Sequence, residues 1–586
     1  MARSLLDTEE HHLQSTQNAD DAGRAGAAGV VPRGVRIDVD DVSRRVRLRR
    51  RGELTLLDAV SFTLSPAELV AIVGPSGAGK TTLLEAIAGI VAPTAGSVRF
   101  DGIDLYANPG TFRSVLGYVP QDDIVHADLP LRRMLGYAAR LRLPSSTTSS
   151  EVAAAVRDAL DAVGLTQSGD VRVGSLSGGQ RKRASIAVEL LTDPRVFFLD
   201  EPTSGLDPIT SAEIIDRLRQ LADRSATVVF TTHAVEDLAR CDRIVFMMRG
   251  GRVGYVGTLD EALEQFGVSS VAELYRRLAD PDSTADAAVG APTAETHDTN
   301  RRAVITRPVP NGLTQWCVLT RRTLETLVRN RLTLAILLGS PALVVGMFAI
   351  LFRPGAFDVE HPSPSSMVMI GFWVVFGAFF FGLTYGLLQI CTERTILRRE
   401  RFVGLRIDAY VASKVTVVLP FLLLVVAAML GVLRLLDRLP ARPLATYASV
   451  GGGLLLCSVA ALGLGLLASA AVGNVAQATL ALPMLCFPAV LFSGAILPVN
   501  LMAGAGAALS AVIPSRWAFE AIGHDLGARG ILAHGGSPLG APLLASYGDA
   551  GTASTGTYYL ILATFAAVFL VATWGVLVHN TRTSTR

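Results

Sequence analysis

The chain has 586 residues, too many for a single hydrophobic core, so we expect it to divide into domains. Half of the residues are hydrophobic, whereas the formal net charge of +2 provides no basic field for nucleic acid and excludes it as an expected partner. The five cysteines are scattered, and their spacing indicates neither a zinc site nor a disulfide framework.

Composition changes along the chain and predicts its domains. Residues 1–34 are rich in Ala, Asp and Gly without an apolar core, which predicts a disordered cytoplasmic tail rather than a signal peptide. Residues 35–279 combine charged residues with short apolar runs and contain the motifs described below, so we assign them to a nucleotide-binding domain. Residues 280–311, dense in Ala, Asp, Thr and Pro, predict a linker. Long apolar runs in residues 332–586 predict a membrane domain.

A glycine-rich segment follows the first apolar run of the predicted nucleotide-binding domain. Residues 69–73 predict a buried strand and residues 81–88 a helix. Backbone N–H groups at such a junction bind phosphate, and kinases and GTPases also use this arrangement. We expect Lys80 to contact the β and γ phosphates of ATP and Thr81 to bind Mg²⁺. The predicted ATP-binding residues are Gly74, Pro75, Ser76, Gly77, Ala78, Gly79, Lys80, Thr81 and Thr82.

Two carboxylates end a later apolar run. Residues 196–199 predict a buried strand, and Asp200 and Glu201 follow it directly. At this position Asp200 would bind Mg²⁺, and Glu201 would act as the base that polarises the attacking water. Two solvated carboxylates at a strand end are the ordinary alternative, so the assignment depends on the other motifs.

Four further motifs occur in a fixed order. Gln121 follows the segment GYVP, residues 176–180 read LSGGQ, Asp207 ends the segment SGLD, and His233 follows the apolar run VVFTT. Together with the phosphate loop and the Asp–Glu pair, they resemble the Q-loop, signature, D-loop and switch histidine of ABC transporter ATPases. Alone, Gln121 would be an ordinary loop residue, Asp207 a helix cap and His233 a structural histidine.

The resemblance implies roles for these residues. Gln121 would sense Mg²⁺ as a metal ligand beside Thr81 and Asp200, and His233 would contact the γ-phosphate, so that Glu201, His233 and Gln121 form the catalytic set. The remaining residues would contact ATP bound by a second copy, and these are Ser177, Gly178, Gly179, Gln180 and Asp207. A chain with one of each motif must therefore pair. Because every motif matches the consensus, a homodimer is favoured, and a heterodimer remains open.

An aromatic residue often stacks on adenine in this family about twenty residues before the phosphate loop. This chain has an arginine-rich run at residues 44–51 instead. An arginine could stack on the base, or the run could form a basic edge strand facing solvent or anionic lipid headgroups. Base selectivity is therefore left open.

The C-terminal half contains six apolar stretches of about twenty residues or more, each sufficient for a bilayer crossing. Basic residues cluster before the first stretch and between the second and third, which places both clusters and both termini inside. The fold class is thus an α/β P-loop ABC ATPase domain followed by an all-α six-span membrane domain. The predicted spans are residues 332–352, 367–391, 415–433, 447–472, 477–497 and 557–578.

The order of the two domains resembles the ABCG or White-type half transporters. Residues 312–331 predict an amphipathic helix like the connecting helix of that family, with Trp316, Leu319, Leu324, Leu327 and Val328 on its apolar face. Residues 393–410 resemble the cytoplasmic segment after the second span of that family. There, residues 399–401 would either contact the nucleotide-binding domain near the Q-loop or anchor the chain at the membrane surface.

These patterns predict an integral membrane protein that uses ATP and Mg²⁺ to export an apolar or amphipathic cargo, such as a lipid, glycolipid or drug-like molecule. None of the predicted spans contains Asp, Glu, Lys, Arg or His, which argues against ion coupling. The alternative is a non-transporting membrane ATPase that passes mechanical work to a partner protein. Without any N-glycosylation sequon, a bacterial inner membrane with a cytoplasmic nucleotide-binding domain is the expected location.

Overall fold

The computed structural model describes residues 34–48, 52–112, 115–122, 125–279 and 309–583. The predicted tail and linker lie outside these residues, except for Gly34 and residues 309–311. The elements form two compact units. The first contains β1 to β6, α1, α2, β7 to β10 and α6 to α8, and the second contains α3 to α5 and α9 to α20, with ranges given below.

The first unit is an α/β domain. Its strands are β1 (Ile37–Leu48), β2 (Gly52–Leu64), β3 (Leu69–Val73), β4 (Ala95–Phe100), β5 (Ile103–Asp104), β6 (Leu116–Val119), β7 (Val196–Leu199), β8 (Thr227–Thr231), β9 (Arg243–Met248) and β10 (Arg252–Gly257). Its helices are α1 (Lys80–Ile87), α2 (Pro109–Phe112), α6 (Pro208–Asp223), α7 (Leu259–Gln265) and α8 (Val271–Ala279).

Two sheets organise these strands. One is antiparallel with the order β2-β1-β4-β5, and the other has the order β10-β9-β3-β8-β7-β6. In the second sheet β9, β3, β8, β7 and β6 are parallel, and only β10 pairs antiparallel at the edge. All five residues of β3 are buried, as expected for the apolar β-branched interior of a parallel sheet. The parallel arrangement brings the carboxyl ends of β3, β8, β7 and β6 to the same edge.

The second unit is helical. It contains three helices that lie between β6 and β7 in sequence, so part of the predicted nucleotide-binding domain packs with the membrane helices. Its helices are α3 (Leu131–Arg142), α4 (Ser149–Ala162), α5 (Gly178–Leu190), α9 (Gly312–Arg329), α10 (Arg331–Leu351), α11 (Pro364–Leu387), α12 (Arg394–Phe402), α13 (Ile407–Leu435), α14 (Leu444–Ala471), α15 (Val475–Leu491), α16 (Gly504–Ala511), α17 (Pro514–Asp525), α18 (Ala528–His534), α19 (Gly540–Tyr547) and α20 (Thr555–Thr583).

Five helices of the described chain, α10, α11, α13, α14 and α20, are long and apolar enough to cross a membrane. The predicted fifth span differs, because α15 has 17 residues and ends at Leu491. The apolar run continues to Leu497, but Gly494 adopts a φ of 77°, so this part of the run is not helical. At 1.5 Å per residue, α15 is about 26 Å long, slightly short of the hydrocarbon core of a bilayer.

Part of the predicted apolar face of the connecting helix lies on the exposed side of the helix. The side of α9 that packs inward carries Gln315, Val318, Leu319 and Arg322. Leu324 and Val328, which the sequence placed on the apolar face one turn apart, are 45% and 53% exposed. The helix buries a mixed face because an arginine and a glutamine find partners inside: Arg322 binds Glu400, and Gln315 donates to the Pro310 carbonyl.

Buried charges join the helices of the second unit around Glu189 on α5. The guanidinium of Arg142 on α3 donates to both carboxylate oxygens of Glu189, at 2.7 and 2.9 Å. Arg399 on α12 donates to the same carboxylate at 2.8 Å and to the carbonyl oxygen of Ser185 at 2.9 Å. All three charged side chains are buried. We call Arg142, Glu189 and Arg399 the buried ion cluster.

Further ion pairs continue from the buried ion cluster within the second unit. Arg322 on α9 pairs with Glu400 on α12, and Lys414 on α13 pairs with Glu393 at 2.7 Å. His126 lies among these charges, and burial together with Arg322 lowers its pKa to about 4, so its imidazole is neutral at pH 7. The helix α12, which follows the second span, is therefore tied by charge to α3, α5 and α9.

Close packing of α11 against α14 depends on glycine. A Cβ atom at Gly382 would lie 2.1 Å from the carbonyl oxygen of Ser458, and one at Gly465 would lie 2.4 Å from the carbonyl oxygen of Leu383. Small residues allow membrane helices to approach closely, which strengthens their dispersion contacts.

Replacing Gly382 with Ala is expected to lower the midpoint of thermal unfolding of the detergent-solubilised protein, because the new methyl group would separate the two backbones. Overpacking of this kind costs about 1 to 3 kcal/mol. The matched control is Gly431→Ala in α13, where an added Cβ meets no described atom within 4 Å. Equal midpoints for the two variants would contradict this account of the α11–α14 contact.

The second prediction concerns the buried ion cluster and pH. Although burial alone would raise the pKa of Glu189, Arg142 and Arg399 outweigh it and hold the pKa at about 2, below its ordinary value of 4.5. A depressed pKa stabilises the fold above the ordinary value, and this stabilisation is lost as the pH falls from 4.5 towards 2. Glu189→Gln should therefore destabilise the protein at neutral pH, by about 3 to 5 kcal/mol because two buried arginines lose their partner.

Thermal unfolding measured across the pH range would test this. The gap between the wild-type protein and Glu189→Gln should be widest near neutral pH and should narrow below the ordinary pKa of the carboxyl group. Glu264→Gln, at an exposed position of α7, is the control and should behave as the wild type throughout. A gap that stays constant with pH would show that the carboxylate charge is not what holds the three side chains together.

Candidate active site

Four strand ends of the first unit supply the predicted nucleotide site. Val73 of β3 leads into the phosphate loop, and Leu199 of β7 leads into Asp200 and Glu201. Thr231 ends β8 two residues before His233, and Val119 ends β6 two residues before Gln121. Open parallel sheets bind ligands beyond the carboxyl ends of their strands, which is the edge where these residues lie.

The phosphate loop takes a conformation that only glycine allows. Gly74 has a φ of 146°, and a Cβ there would lie 2.2 Å from the carbonyl oxygen of Met247. Gly79 has a φ of 98° and precedes the first residue of α1 without any side-chain cap. The first N–H groups of α1 thus keep no side-chain acceptor at this end, as phosphate binding requires.

Lys80 folds back over the loop. Its Nζ donates to the carbonyl oxygens of Gly74 at 2.9 Å and Pro75 at 3.2 Å. Burial lowers the pKa of Lys80, while the carboxylates of Glu201 and Asp200 act in the opposite direction. Its cationic amine is therefore held at the loop in the position from which it could contact phosphate.

Asp200 is buried among hydroxyl groups. The hydroxyl of Thr81 donates to Asp200 Oδ1 at 3.1 Å, and the hydroxyl of Thr231 donates to the same oxygen at 2.7 Å. Mg²⁺ prefers oxygen ligands and is commonly held by one or two carboxylates together with substrate phosphates. The predicted pair Thr81 and Asp200 therefore has the donor chemistry and the proximity that Mg²⁺ requires.

The three predicted catalytic residues lie together. Gln121 Nε2 donates to Glu201 Oε2 at 3.0 Å, and His233 Nδ1 lies 3.6 Å from Glu201 Oε1. The side chain of His233 is 61% exposed, so it is not the structural core histidine of the alternative interpretation. Gln121 therefore lies beside the predicted base, and its role as a Mg²⁺ ligand stays a prediction.

Glu201 has a strained backbone. Its φ of 45° lies in the left-handed region, where residues other than glycine are uncommon. The N–H group of Glu201 donates to the hydroxyl of Thr231 at 2.8 Å, which holds the residue in this conformation. Such strain costs about 1 to 3 kcal/mol and concentrates at functional sites.

Thr231 is a site residue that sequence reasoning missed. Its hydroxyl bonds both Asp200 and the backbone of Glu201, so one side chain orients the predicted metal ligand and the predicted base. The only signal was its place at the end of an apolar strand next to the switch histidine. That signal does not distinguish a bridging threonine from an ordinary β-strand threonine.

The remaining predicted site residues cap helices. In the second unit, the Ser177 side chain accepts from the N–H of Gln180 at 3.2 Å, and the Gln180 side chain accepts from the N–H of Ser177 at 3.0 Å. This pair of bonds caps the start of α5, whose first turn contains Gly178 and Gly179. Asp207 caps α6 in the first unit by accepting from the N–H of Thr210, which lowers the pKa of Asp207. Their predicted contacts with ATP of a second copy stay predictions.

The arginine-rich run lies in β1 up to Leu48, and residues 49–51 are outside the described chain. Arg44 donates to the carbonyl oxygen of Ala92 at 2.5 Å, which supports a structural role for this side chain. A role for the other arginines in binding the base stays open.

Comparison with known proteins agrees with this geometry. The ABC transporter family matches residues 57–204, and the ABC-2 type transporter family matches residues 314–523. The ABC transporter ATP-binding/permease protein Rv1747 of Mycobacterium tuberculosis is 34% identical over 80% of this chain and 56% of its own length. ABC transporter G family member 4 of Arabidopsis thaliana is 32% identical over 63% of this chain and 66% of its own length.

A third relative matches the ATPase part. The Nod factor export ATP-binding protein I of Rhizobium etli is 34% identical over 41% of this chain and 73% of its own length. The chain spans only about half to two thirds of the length of the first two relatives. These matches confirm the family that the motifs predicted. The chain belongs to the ABC transporter family, in which it joins an ABC ATPase domain to a following ABC-2 type membrane domain and has G family members among its relatives.

Proposed function

We propose that this chain is an ATP-driven exporter that works as a dimer and moves an apolar or amphipathic cargo out of the cell. The observation that carries the proposal is the catalytic arrangement at the strand ends: Glu201 lies between Gln121 and His233 and beside the phosphate loop. The relatives support export, since one of them is named for Nod factor export.

The chain's own residues would divide the chemistry between them. Lys80 and the N–H groups at the start of α1 would bind the phosphates, and Thr81 with Asp200 would hold Mg²⁺, which when bound neutralises charge on the phosphates. Glu201 would take a proton from the attacking water, while Gln121 and His233 hold that water and the γ-phosphate in line. The hydrogen bond that Gln121 donates to Glu201 Oε2 would orient this carboxylate.

Transmission to the membrane would pass through the second unit. The helices α3 to α5 are inserted between β6 and β7, the two strands that lead to Gln121 and Asp200. Within the second unit, the buried ion cluster ties α3 and α5 to α12, which follows the second span. The contact of Arg399 with Glu189 favours the first sequence interpretation of residues 399–401, contact with the nucleotide-binding domain, over a plain membrane anchor.

The cargo class is inferred from the second and fifth predicted spans. Phe372, Phe379 and Phe381 are buried, whereas Trp373 and Phe376 on α11 are only half-buried. The neighbouring α15 exposes Leu480, Met484 and Phe487, which recur at helical spacing on one face. These apolar faces would suit a lipid-like or drug-like cargo, and the location we propose is a bacterial inner membrane with the ATPase domain in the cytoplasm.

The central test uses Glu201→Gln in lipid vesicles that contain a fluorescent lipid or a drug-like dye. We expect ATP hydrolysis to fall by about 10² to 10⁴-fold, because a general base contributes that much, while ATP binding is retained. Movement of the probe should stop with hydrolysis. Glu236→Gln, at an exposed position near the site, is the control and should behave as the wild type.

The same experiment separates the two candidate functions. Hydrolysis by the wild-type protein without movement of any probe would count against export and favour a membrane ATPase that acts on a partner protein. Full hydrolysis by Glu201→Gln would overturn the catalytic assignment itself.

A second test addresses the dimer. Lys80→Ala removes the phosphate contact of its own chain, and Ser177→Arg blocks the signature segment offered to the partner. Each variant alone should be inactive. When the two variants are co-expressed, half of the dimers contain one copy of each. Each mixed dimer keeps one of its two sites with both elements intact. If the sites act independently, about a quarter of the wild-type ATPase activity should therefore return.

Purified mixtures with separate affinity tags on the two variants would measure this directly. Two copies of a single variant, mixed in the same way, are the control. A mixed dimer without activity, or a single variant that hydrolyses ATP as fast as the wild type, would contradict sites shared between two chains.

A further inference from the structure

A basic groove lies within the second unit, between α3, α4 and the connecting helix α9. It encloses about 690 Å³, a volume within the usual range for ligand sites. We call it the arginine groove, after the five arginines that line it: Arg132, Arg133, Arg140, Arg157 and Arg321. Among the residues that the structure describes, no acidic side chain lines it.

Most of the positive charge in the arginine groove is not neutralised. Arg133 pairs with Glu325 at 3.2 Å, and Arg132 lies 3.5 Å from Asp170. The other three arginines, at positions 140, 157 and 321, have no carboxylate partner among the described residues, and all three are exposed. Like charges gathered at one surface without counter-ions favour an anionic ligand.

The floor of the groove is apolar. Val152 and Val156 of α4 and Val318 of α9 line it and are themselves buried. A ligand that fills the groove would thus meet guanidinium groups at the rim and hydrocarbon below. This combination suits an amphiphile with an anionic headgroup better than a free inorganic anion.

The groove continues into an exposed apolar face of α9. Leu313, Cys317 and Arg321 line the groove, and Leu324 and Val328 follow them on the same helical face, at four- and three-residue steps. Leu313, Leu324 and Val328 are 69%, 45% and 53% exposed. The helix α10 begins at Arg331, directly before the first predicted span, so this face lies next to the point where the chain would meet the bilayer. A helix that exposes apolar residues beside arginines is typical of one lying in a membrane interface.

We propose that the arginine groove binds the headgroup of an anionic phospholipid from the leaflet that the chain enters at Arg331. The inference rests on the membrane placement in the proposed function, and it adds a lipid site distinct from the cargo path. Arginine binds phosphate through planar, paired N–H donors, and Arg140, Arg157 and Arg321 present their guanidinium groups at the rim. One N–H of Arg140 donates to the hydroxyl of Ser149 at 3.1 Å, which leaves its other N–H groups for a ligand. The apolar floor and the exposed face of α9 would contact the glycerol and the upper acyl chains.

The test measures binding of phosphatidylglycerol to the full chain, purified in a non-ionic detergent, by native mass spectrometry. The variant is the triple substitution Arg140→Ala, Arg157→Ala and Arg321→Ala, at exposed positions where loss of the fold is not expected. Each arginine near a lipid surface is worth about fivefold in affinity, so the triple variant should bind roughly a hundredfold more weakly. The matched control removes three exposed arginines elsewhere, by Arg224→Ala, Arg249→Ala and Arg276→Ala, and should bind as the wild type.

Further arms identify the ligand. Phosphatidylcholine should bind weakly and equally to all variants, and neither glycerol 3-phosphate nor an acidic peptide should displace phosphatidylglycerol at equal concentration. Equal binding by the wild type and the groove variant, or equal loss in both triple variants, would overturn the site. Displacement by glycerol 3-phosphate or by the peptide would overturn the lipid assignment. Glu201→Gln should bind phosphatidylglycerol normally, so failure of the export proposal and failure of the lipid site would give different results.

Discussion

Parallel pairing of β6, β7, β8 and β3 is the constraint from which the active site follows. Strands that run in the same direction end at the same edge, so four segments far apart in sequence place their first loop residues side by side. Strand spacing thus brings the segments that carry Lys80, Asp200, Glu201, Gln121 and His233 together, and the loops then set the positions of the side chains. Thr231 then orients the two carboxylate residues, because its hydroxyl donates to the carboxylate of Asp200 and accepts from the backbone N–H of Glu201.

A different constraint shapes the second unit. A charge taken out of water is costly unless a partner of opposite sign and good geometry is present. Glu189 satisfies this requirement because its carboxylate accepts hydrogen bonds from two arginines. Arg142 lies on an earlier helix in sequence, and Arg399 lies on a later one. The same requirement is met on α9, where Arg322 is buried because its charge is paired with Glu400. Leu324, on another face of the same helix, stays exposed.

The sequence was sufficient for features that local chemistry determines. Gly74 and Gly79 adopt backbone conformations open to glycine alone, and short runs of β-branched residues are typical of buried parallel strands, so the phosphate loop and the ATPase fold could be predicted. Features that depend on tertiary partners could not. The pairing of Glu189 with Arg399 joins residues 210 positions apart, and nothing near either residue signals the other.

The predicted length of the fifth span was wrong for a related reason, since hydropathy alone does not show that α15 ends at Leu491, three residues before Gly494 and its positive φ. The sequence likewise did not show that two neighbouring arginines of α9 make different contacts. Arg321 and Arg322 are neighbours in sequence and lie about 100° apart around the helix axis. Arg322 enters the ion pair with Glu400 on α12, whereas Arg321 lines the arginine groove. A ligand held at Arg321 therefore bears on the same rigid helix that is tied through Glu400 to α12, whose Arg399 belongs to the buried ion cluster. If the arginine groove binds a lipid as proposed, α9 is the element through which that lipid would bias the packing of α3, α5 and α12.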